Sequence, residues 1–246
     1  MDDNVQQYID MQKTFYNIDG DLDHYKYNIV SDHWGYSQQQ IAGFYSMLFD
    51  NQDHSEHVAL DFGCGLGRFI SVMHDRFKRI DGVDLSSKML EYAQSILASQ
   101  NVKNCTLQQN NGYDLSNIAD NTYDVVYSVC VLEHIAVHEI RHNYFKEFFR
   151  VLKQNGTLAV IMKGGSQYQN LSKSSAWYDN CYDANVTNGG YDVRIDSLLD
   201  VANDLFSIGF YDVGFLLTPT PFEKDNDELA GHQYGIRIMG RRYESH

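Results

Sequence analysis

Proline is almost missing from this 246-residue chain, with only 2 residues. That excludes proline-rich linkers and collagen-like sequence. Basic residues are scarce as well: 19 Lys and Arg stand against 33 Asp and Glu, a net charge of −14, with an isoelectric point near 4.9. A surface built to neutralise a polyanion needs clustered Lys and Arg, so nucleic acid is not the expected partner. There is no uninterrupted apolar run near the ~20 residues that span a bilayer, so no membrane partner is expected. The opening Met1-Asp2-Asp3-Asn4 has no basic region followed by an apolar stretch and does not read as a secretory signal. The four cysteines, Cys64, Cys105, Cys130 and Cys181, form no CxxC pair. They suggest neither a disulfide framework nor a Cys-based metal site, and a reducing cytoplasm is the expected setting.

What is present is a core-forming composition, 43% hydrophobic and 13% aromatic, with no internal repeat. Residues 1–55 are polar and aromatic with weak periodicity. One helix is predicted there, Tyr36 to Phe49, from Ile41, Phe44, Tyr45, Leu48 and Phe49 at i, i+3, i+4, i+7 and i+8. From His57 onward strands and helices alternate. Strands are predicted at His57 to Phe62, Ile80 to Val83, Cys105 to Gln109, Tyr123 to Val129 and Gly156 to Met162. The helices between them are Arg68 to Phe77, Ser86 to Ser99 with a serine cap, and His138 to Leu152. A polar, glycine- and serine-rich segment at 163–192 interrupts the rhythm. A helix, Val193 to Phe206, and two strands, Gly209 to Leu217 and Tyr234 to Met239, follow; the short connection between the strands suits an antiparallel hairpin. This alternation predicts an α/β fold, a doubly wound and mostly parallel sheet between helices, with its ligand site at the carboxyl ends of the strands.

Four segments at that edge carry chemistry. Ala59-Leu60-Asp61-Phe62-Gly63-Cys64-Gly65-Leu66-Gly67-Arg68-Phe69 is a strand, a glycine turn and a helix start. Glycine allows left-handed backbone and close ligand approach, and a helix N-terminus offers free N–H groups. The spacing is GxGxG rather than the GxGxxG of a dinucleotide turn. An acid, Asp61, precedes it; a carboxylate there repels a pyrophosphate and attracts an ammonium, which points to a zwitterionic ligand. Asp84, 17 residues beyond Gly67, is placed to accept from both hydroxyls of a ribose. Asn110-Asn111-Gly112 follow the third strand and are suited to an adenine edge. Asp124 to His134 is a strand feeding a loop at the same edge.

DFGCGLGR, then VDLS, then YDVVYSVCVLEH, in this order and spacing, resembles the class I S-adenosylmethionine-dependent methyltransferases. The resemblance is close over residues 57–162 and looser over the last two strands. It implies a three-layer αβα sandwich, with a Rossmann-like seven-stranded, mostly parallel sheet whose last strand is antiparallel. It implies S-adenosyl-L-methionine as cofactor. Asp61, Gly63, Cys64, Gly65, Gly67 and Arg68 would surround the methionine moiety, and Asp84 would hold the ribose. Leu85 and Met89 would flank the adenine, Asn110, Asn111 and Gly112 would meet its edge, and Ser128 and Val129 would line the floor. Many relatives carry Asp where this chain has Asn111. The asparagine-proline-proline-aromatic signature of many amino-directed members is absent, which favours an oxygen acceptor.

His134 is the first candidate for a general base and Glu133 the second. His134 could instead cap the following helix or satisfy a backbone carbonyl. His134, His138 and His142 are spaced by four, but no carboxylate or cysteine completes a familiar ligand set, and no metal is expected. Trp34 is a candidate for a lid or for packing of the N-terminal segment. Trp177 and Tyr178 are candidates for stacking on a sugar or aromatic acceptor, or for anchoring their loop. Residues 1–55 read as an N-terminal helical lid or extension. Residues 56–246 read as the cofactor-binding domain, with a substrate-loop insertion at 163–192. Asn188-Gly189-Gly190-Tyr191 loosely resembles bacterial methyltransferases found with sugar-modifying enzymes, so a small-molecule or glycan acceptor is expected. The alternatives are a non-catalytic cofactor-binding subunit and a nicotinamide-dependent oxidoreductase; the GxGxG spacing and Asp61 speak against the latter.

Overall fold

The computed structural model describes residues 2–17, 20–21, 23, 38–50, 52–164, 197–219 and 234–242. Two helices come first, α1 (Asp3–Tyr16) and α2 (Gln38–Phe49). The alternating part follows as β1 (Val58–Phe62), α3 (Arg68–Met73), β2 (Arg79–Asp84), α4 (Ser87–Ser99), β3 (Leu107–Gln109), β4 (Tyr123–Val129), α5 (His138–Val151) and β5 (Leu152–Gly164). The chain closes with α6 (Leu198–Ile208), β6 (Phe210–Pro219) and β7 (Tyr234–Arg242).

The seven strands form one sheet in the order β3-β2-β1-β4-β5-β7-β6. β1 to β5 pair in parallel, and β7 runs antiparallel to both β5 and β6. The predicted fold is therefore the observed one. Helices cover both faces. On one, Val5, Tyr8 and Ile9 of α1, Ile140, Phe145 and Phe148 of α5, and Val201 and Leu205 of α6 pack on Leu60, Val126 and Val160 of the sheet. On the other, Phe44 and Leu48 of α2, Ile70 and Met73 of α3, and Leu97 of α4 pack on Ala59, Val125, Tyr127 and Ile161. Burial on both faces is why the central strands read as continuous apolar runs.

Several boundaries differ from the sequence-based expectation, each for a local reason. The helix expected over Arg68 to Phe77 stops at Met73, and a 3₁₀ turn, His74–Arg76, finishes it. The strand expected from Cys105 begins at Leu107, because the Thr106 N–H and hydroxyl both donate to the Asp81 carboxylate, at 3.1 and 2.7 Å. The strand expected from Gly156 begins at Leu152; a register shift against Tyr123 and Val125, with Asn155 at φ 61°, absorbs the irregular stretch. α6 ends at Gly209, whose φ of 114° suits a glycine stop. Ser86 does cap α4, accepting from Met89 N–H at 3.1 Å.

Helix α1 was not anticipated. Val5, Tyr8, Ile9 and Gln12 sit at i, i+3, i+4 and i+7 and are all buried, but one of the four is a glutamine and another a phenol. Asp2 caps its start by accepting from Asn4 N–H at 2.8 Å.

At the amino end of β1, His54 and His57 share an Nδ1···Nδ1 contact of 2.8 Å. His54 is buried among the rings of Tyr45, Phe49 and Phe77. Burial pulls its pKa down to about 4, and His57 adds to the effect.

Candidate active site

Asp61 ends β1 beside Tyr127 of β4, its partner in the parallel register. Both side chains are buried, and neither the Asp61 Oδ2 nor the Tyr127 hydroxyl makes a hydrogen bond. Burial pushes the Asp61 pKa up to about 7; the nearby phenol opposes the rise, the Asp84 carboxylate adds to it, and the Arg68 guanidinium opposes it. An acidic oxygen enclosed without a partner is costly unless a cationic or donor group meets it.

The turn after Asp61 is folded tightly over β2, since Gly63 and Cys64 both donate their N–H groups to the Val83 carbonyl, at 2.8 and 3.0 Å. Gly63, Gly65 and Gly67 all have positive φ. At Gly63 a Cβ would fall 2.4 and 2.6 Å from the two methyl carbons of Val131, so glycine is required on steric as well as conformational grounds. Cys64 is buried against Gly82, and its thiol pKa is raised by that burial. It is a packing residue, not a thiolate.

Asp84 lies beneath the same turn. One carboxylate oxygen accepts from Gly65 N–H and the other from Ser86 N–H, both at 2.8 Å. A carboxylate has about four acceptor positions, so two remain for hydroxyl donors. Burial raises its pKa, and the Ser86, Gly65 and Leu85 N–H groups work against that rise. Leu85 and Met89 lie next to it. The Met89 sulfur is 3.6 Å from where a Gly65 Cβ would stand, and a Leu85 methyl is 3.1 Å from the same position at Gly112.

After β3, Asn110 is buried and its Oδ1 accepts from Gly112 N–H at 3.0 Å. Asn111 is placed differently from the expectation. It is exposed, and its Oδ1 accepts from Tyr113 and Asp114 N–H, both at 2.8 Å, while its Nδ2 donates to Asp114. Its side chain is engaged in holding the turn. After β4, the Ser128 hydroxyl donates to the Phe62 carbonyl at 3.0 Å and ties β4 to β1. Val129 packs toward the α2–α3 face, and Cys130 adopts φ 57°, an unusual backbone for a side-chain-bearing residue and common at functional sites. A 3₁₀ turn, Leu132–His134, follows. Glu133 is buried there, whereas His134 is half-buried.

His138 and His142 leave this cluster. His138 pairs with Asp204 of α6 at 2.8 Å, and His142 lies 3.5 Å from the Ser207 hydroxyl. They join two helices, which explains their spacing without a metal. Trp34, Trp177 and Tyr178 fall outside the described residues.

The interactions missed from sequence come from α1. The Ala136 N–H donates to the Tyr8 hydroxyl at 2.7 Å, and Gln12 Nε2 donates to that hydroxyl and to the His134 carbonyl, at 2.8 and 3.2 Å. The available signal was the i, i+3, i+4, i+7 spacing behind an Asp cap.

An acid at the end of β1, a three-glycine turn, a second acid at the end of β2 and a lone antiparallel β7 together define the class I S-adenosylmethionine-dependent methyltransferase fold, and this chain has it. Residues 60–160 match the family described as "Methyltransferase domain". The chain is 28% identical over 115 residues to the uncharacterized methyltransferase YcgJ of Bacillus subtilis, covering 47% of this chain and 44% of that protein. It spans about half the length of the curated relatives it matches. Among solved structures, geranyl diphosphate C-methyltransferase from Streptomyces coelicolor superposes with a TM-score of 0.66 at 15% identity, covering 96% of this chain and 97% of that one. Haemonchus contortus phosphoethanolamine N-methyltransferase 2, in complex with S-adenosyl-L-methionine, superposes with a TM-score of 0.65 at 16% identity, covering 97% and 58%. At these identities the likeness speaks to the fold alone.

Proposed function

We propose that this protein is an S-adenosylmethionine-dependent methyltransferase acting on a small-molecule or glycan acceptor, with oxygen as the favoured methylated atom. The observation that carries the reading is the buried, unpartnered Asp61 Oδ2 beneath the glycine turn, with Asp84 one strand away. That pair suits an ammonium and a ribose diol within one ligand, and it disfavours a pyrophosphate. When bound, S-adenosylmethionine supplies an electrophilic methyl group on a sulfonium.

The chain's own residues bind and orient. Asp61 meets the ammonium, Asp84 accepts from the ribose hydroxyls, and Leu85, Met89 and Gly112 enclose the adenine. Glycine at 63, 65 and 67 lets the ligand approach the backbone. Rate enhancement then comes mainly from holding an acceptor in line with the transferred group. His134 is assigned as the base that takes the acceptor proton, because it is half-buried where Glu133 is enclosed. The Streptomyces coelicolor structure carries geranyl diphosphate, and a second structure of the Haemonchus contortus enzyme carries phosphomonomethylethanolamine; both are small molecules, which supports a small acceptor.

Calorimetric titration with S-adenosylhomocysteine tests the cofactor, with Asp84→Ala expected to lose about 1–3 kcal/mol of affinity. Transfer of a labelled methyl group to a panel of hydroxyl-bearing small molecules and glycans, with His134→Ala as control, tests the reaction. Binding without transfer to any acceptor would favour the non-catalytic subunit instead. Tight binding of NAD and none of S-adenosylhomocysteine would overturn the reading.

A further inference from the structure

Strand β4 buries a phenol where a hydrocarbon ring would fit. Tyr127 pairs with Asp61 of β1 on one side and with Ala159 of β5 on the other. The Phe49 ring of α2 meets it edge-on, with centroids 5.8 Å apart. Strands on both sides and a helix above hold the ring in place, and it is fully buried. Its hydroxyl is enclosed and makes no hydrogen bond. Burying a hydroxyl without a partner costs free energy. A phenylalanine would fill the same space without that cost, so packing alone does not explain the tyrosine.

What the hydroxyl faces does explain it. The titratable groups around Tyr127 are Asp61 and Cys64. Around Asp61 stand Tyr127 of β4, Asp84 of β2 and Arg68 of α3, with Cys64 on the adjoining turn. Burial keeps the Cys64 thiol protonated. Burial also lifts the Tyr127 phenol well above its ordinary range, and the Asp61 carboxylate adds to the effect, so the phenol remains a donor. Of the two groups that favour an ionised Asp61, the phenol acts more strongly than the Arg68 guanidinium. The Asp61 Oδ2 is enclosed and unpartnered as well. Two orphaned oxygens thus sit on adjacent strands, one a lasting donor and the other an acid.

We propose that Tyr127 is a positioning residue that sets the charge on Asp61: its hydroxyl turns its hydrogen towards the carboxyl as that group ionises, and so keeps the site anionic for a cationic amine. The inference rests on the S-adenosylmethionine-binding reading of the same site. A hydroxyl hydrogen rotates freely, so the packed ring need not move. Tyr127 touches no ligand atom in this scheme and acts only through Asp61. It offsets the two influences that favour the neutral acid, burial and the Asp84 carboxylate. Without the hydroxyl, Asp61 would keep its proton to a higher pH, and an arriving ammonium would meet a neutral group.

The test compares the full chain with Tyr127→Phe. Carbon-13 NMR of labelled aspartate, assigned with Asp61→Asn, follows the Asp61 carboxyl in the ligand-free protein. Its midpoint, about 7 in the wild type, should rise by about one pH unit in the variant, as for loss of a hydrogen bond to a charged group. Calorimetric affinity for S-adenosylhomocysteine should then fall by nearly tenfold at about pH 6 and by only about twofold at about pH 8. The melting temperature at about pH 6 should be no lower than that of the wild type. A merely structural role predicts the reverse, a lower melting temperature and an unmoved midpoint. An unchanged midpoint overturns the proposal and leaves the cofactor reading intact. A raised midpoint with an unaltered pH profile of binding overturns it too, because Asp61 would then not meet the ammonium. A variant that does not fold contradicts the packing argument and overturns it as well. Failure of the wild type to bind at either pH overturns the cofactor reading, and the proposal with it.

Discussion

On the proposed reading of the site, Asp61 would couple ligand binding to pH. Its carboxyl is poised near pH 7 by burial, with only partial relief from Tyr127 and Arg68. A cationic amine binds the ionised form. Affinity for S-adenosylhomocysteine should therefore drop by up to about tenfold for each unit that pH falls below roughly 7. Titrations at about pH 6 and pH 8 would show this, and Asp61→Asn should bind more weakly at the higher pH and lose the dependence. Gly63 offers a steric test. Substitution by Ala imposes a left-handed backbone, at about 1–2 kcal/mol, and drives a methyl into Val131. Gly63→Ala should lower the melting temperature, and Val131→Ala in the same chain should restore part of the loss, because it removes the contact but not the φ cost. Equal melting temperatures for the single and double variants would contradict the steric account. At this scale the sequence was informative where a residue's type was dictated by backbone geometry or charge, as at Gly63, Asp61 and Asp84. It was not informative for Asn111. Whether an amide faces a ligand or closes its own turn depends on the two N–H groups that happen to follow it.

Among the elements, those buried on both faces or strongly amphipathic were legible: β4 falls on the expected residues, Tyr123–Val129, and α4 differs only in that Ser86 is its cap. Helix α1 was not. Its inward face spends Tyr8 and Gln12 on a buried polar network, so its apolar stripe is diluted where it touches the site. The short α3 was overestimated because the apolar pattern continues through Phe77 while the backbone tightens to 3₁₀ at His74. Since α1 is held by its polar contacts as well as by Val5, Tyr8 and Ile9, its amino-terminal cap should matter. Asp2→Ala is expected to cost about 1 kcal/mol, within the usual range for a lost cap. Thermal melts of the two proteins would measure it, and identical curves would show that tertiary packing alone holds the helix.

For the whole molecule, two buried groups at opposite ends of β1 give opposing contributions to stability against pH. Asp61 has a folded pKa of about 7 against an ordinary 3.8, so the folded chain keeps a proton that the unfolded chain releases. Its contribution is present at low pH and is lost as pH rises through that window. His54 has a folded pKa of about 4 against 6.5, so the unfolded chain takes a proton that the folded chain refuses. Its contribution is present above 6.5 and is lost as pH falls towards 4. Relative to wild type, Asp61→Asn should gain melting temperature progressively from about pH 4 to about pH 7, and His54→Gln should gain it in the opposite direction. Parallel curves for wild type and variants would refute the assignment. The chain's formal charge of −14 says nothing of this balance, because it counts Asp61 as an anion at every pH.

The contact between His54 and His57 carries one more consequence. Two imidazole nitrogens 2.8 Å apart can share only one hydrogen, so one Nδ1 donates and the other accepts. Near pH 6 the central strand is therefore flanked by a neutral base at its entrance and a largely protonated acid at its exit. A cationic ligand at that exit would favour the ionised form of Asp61.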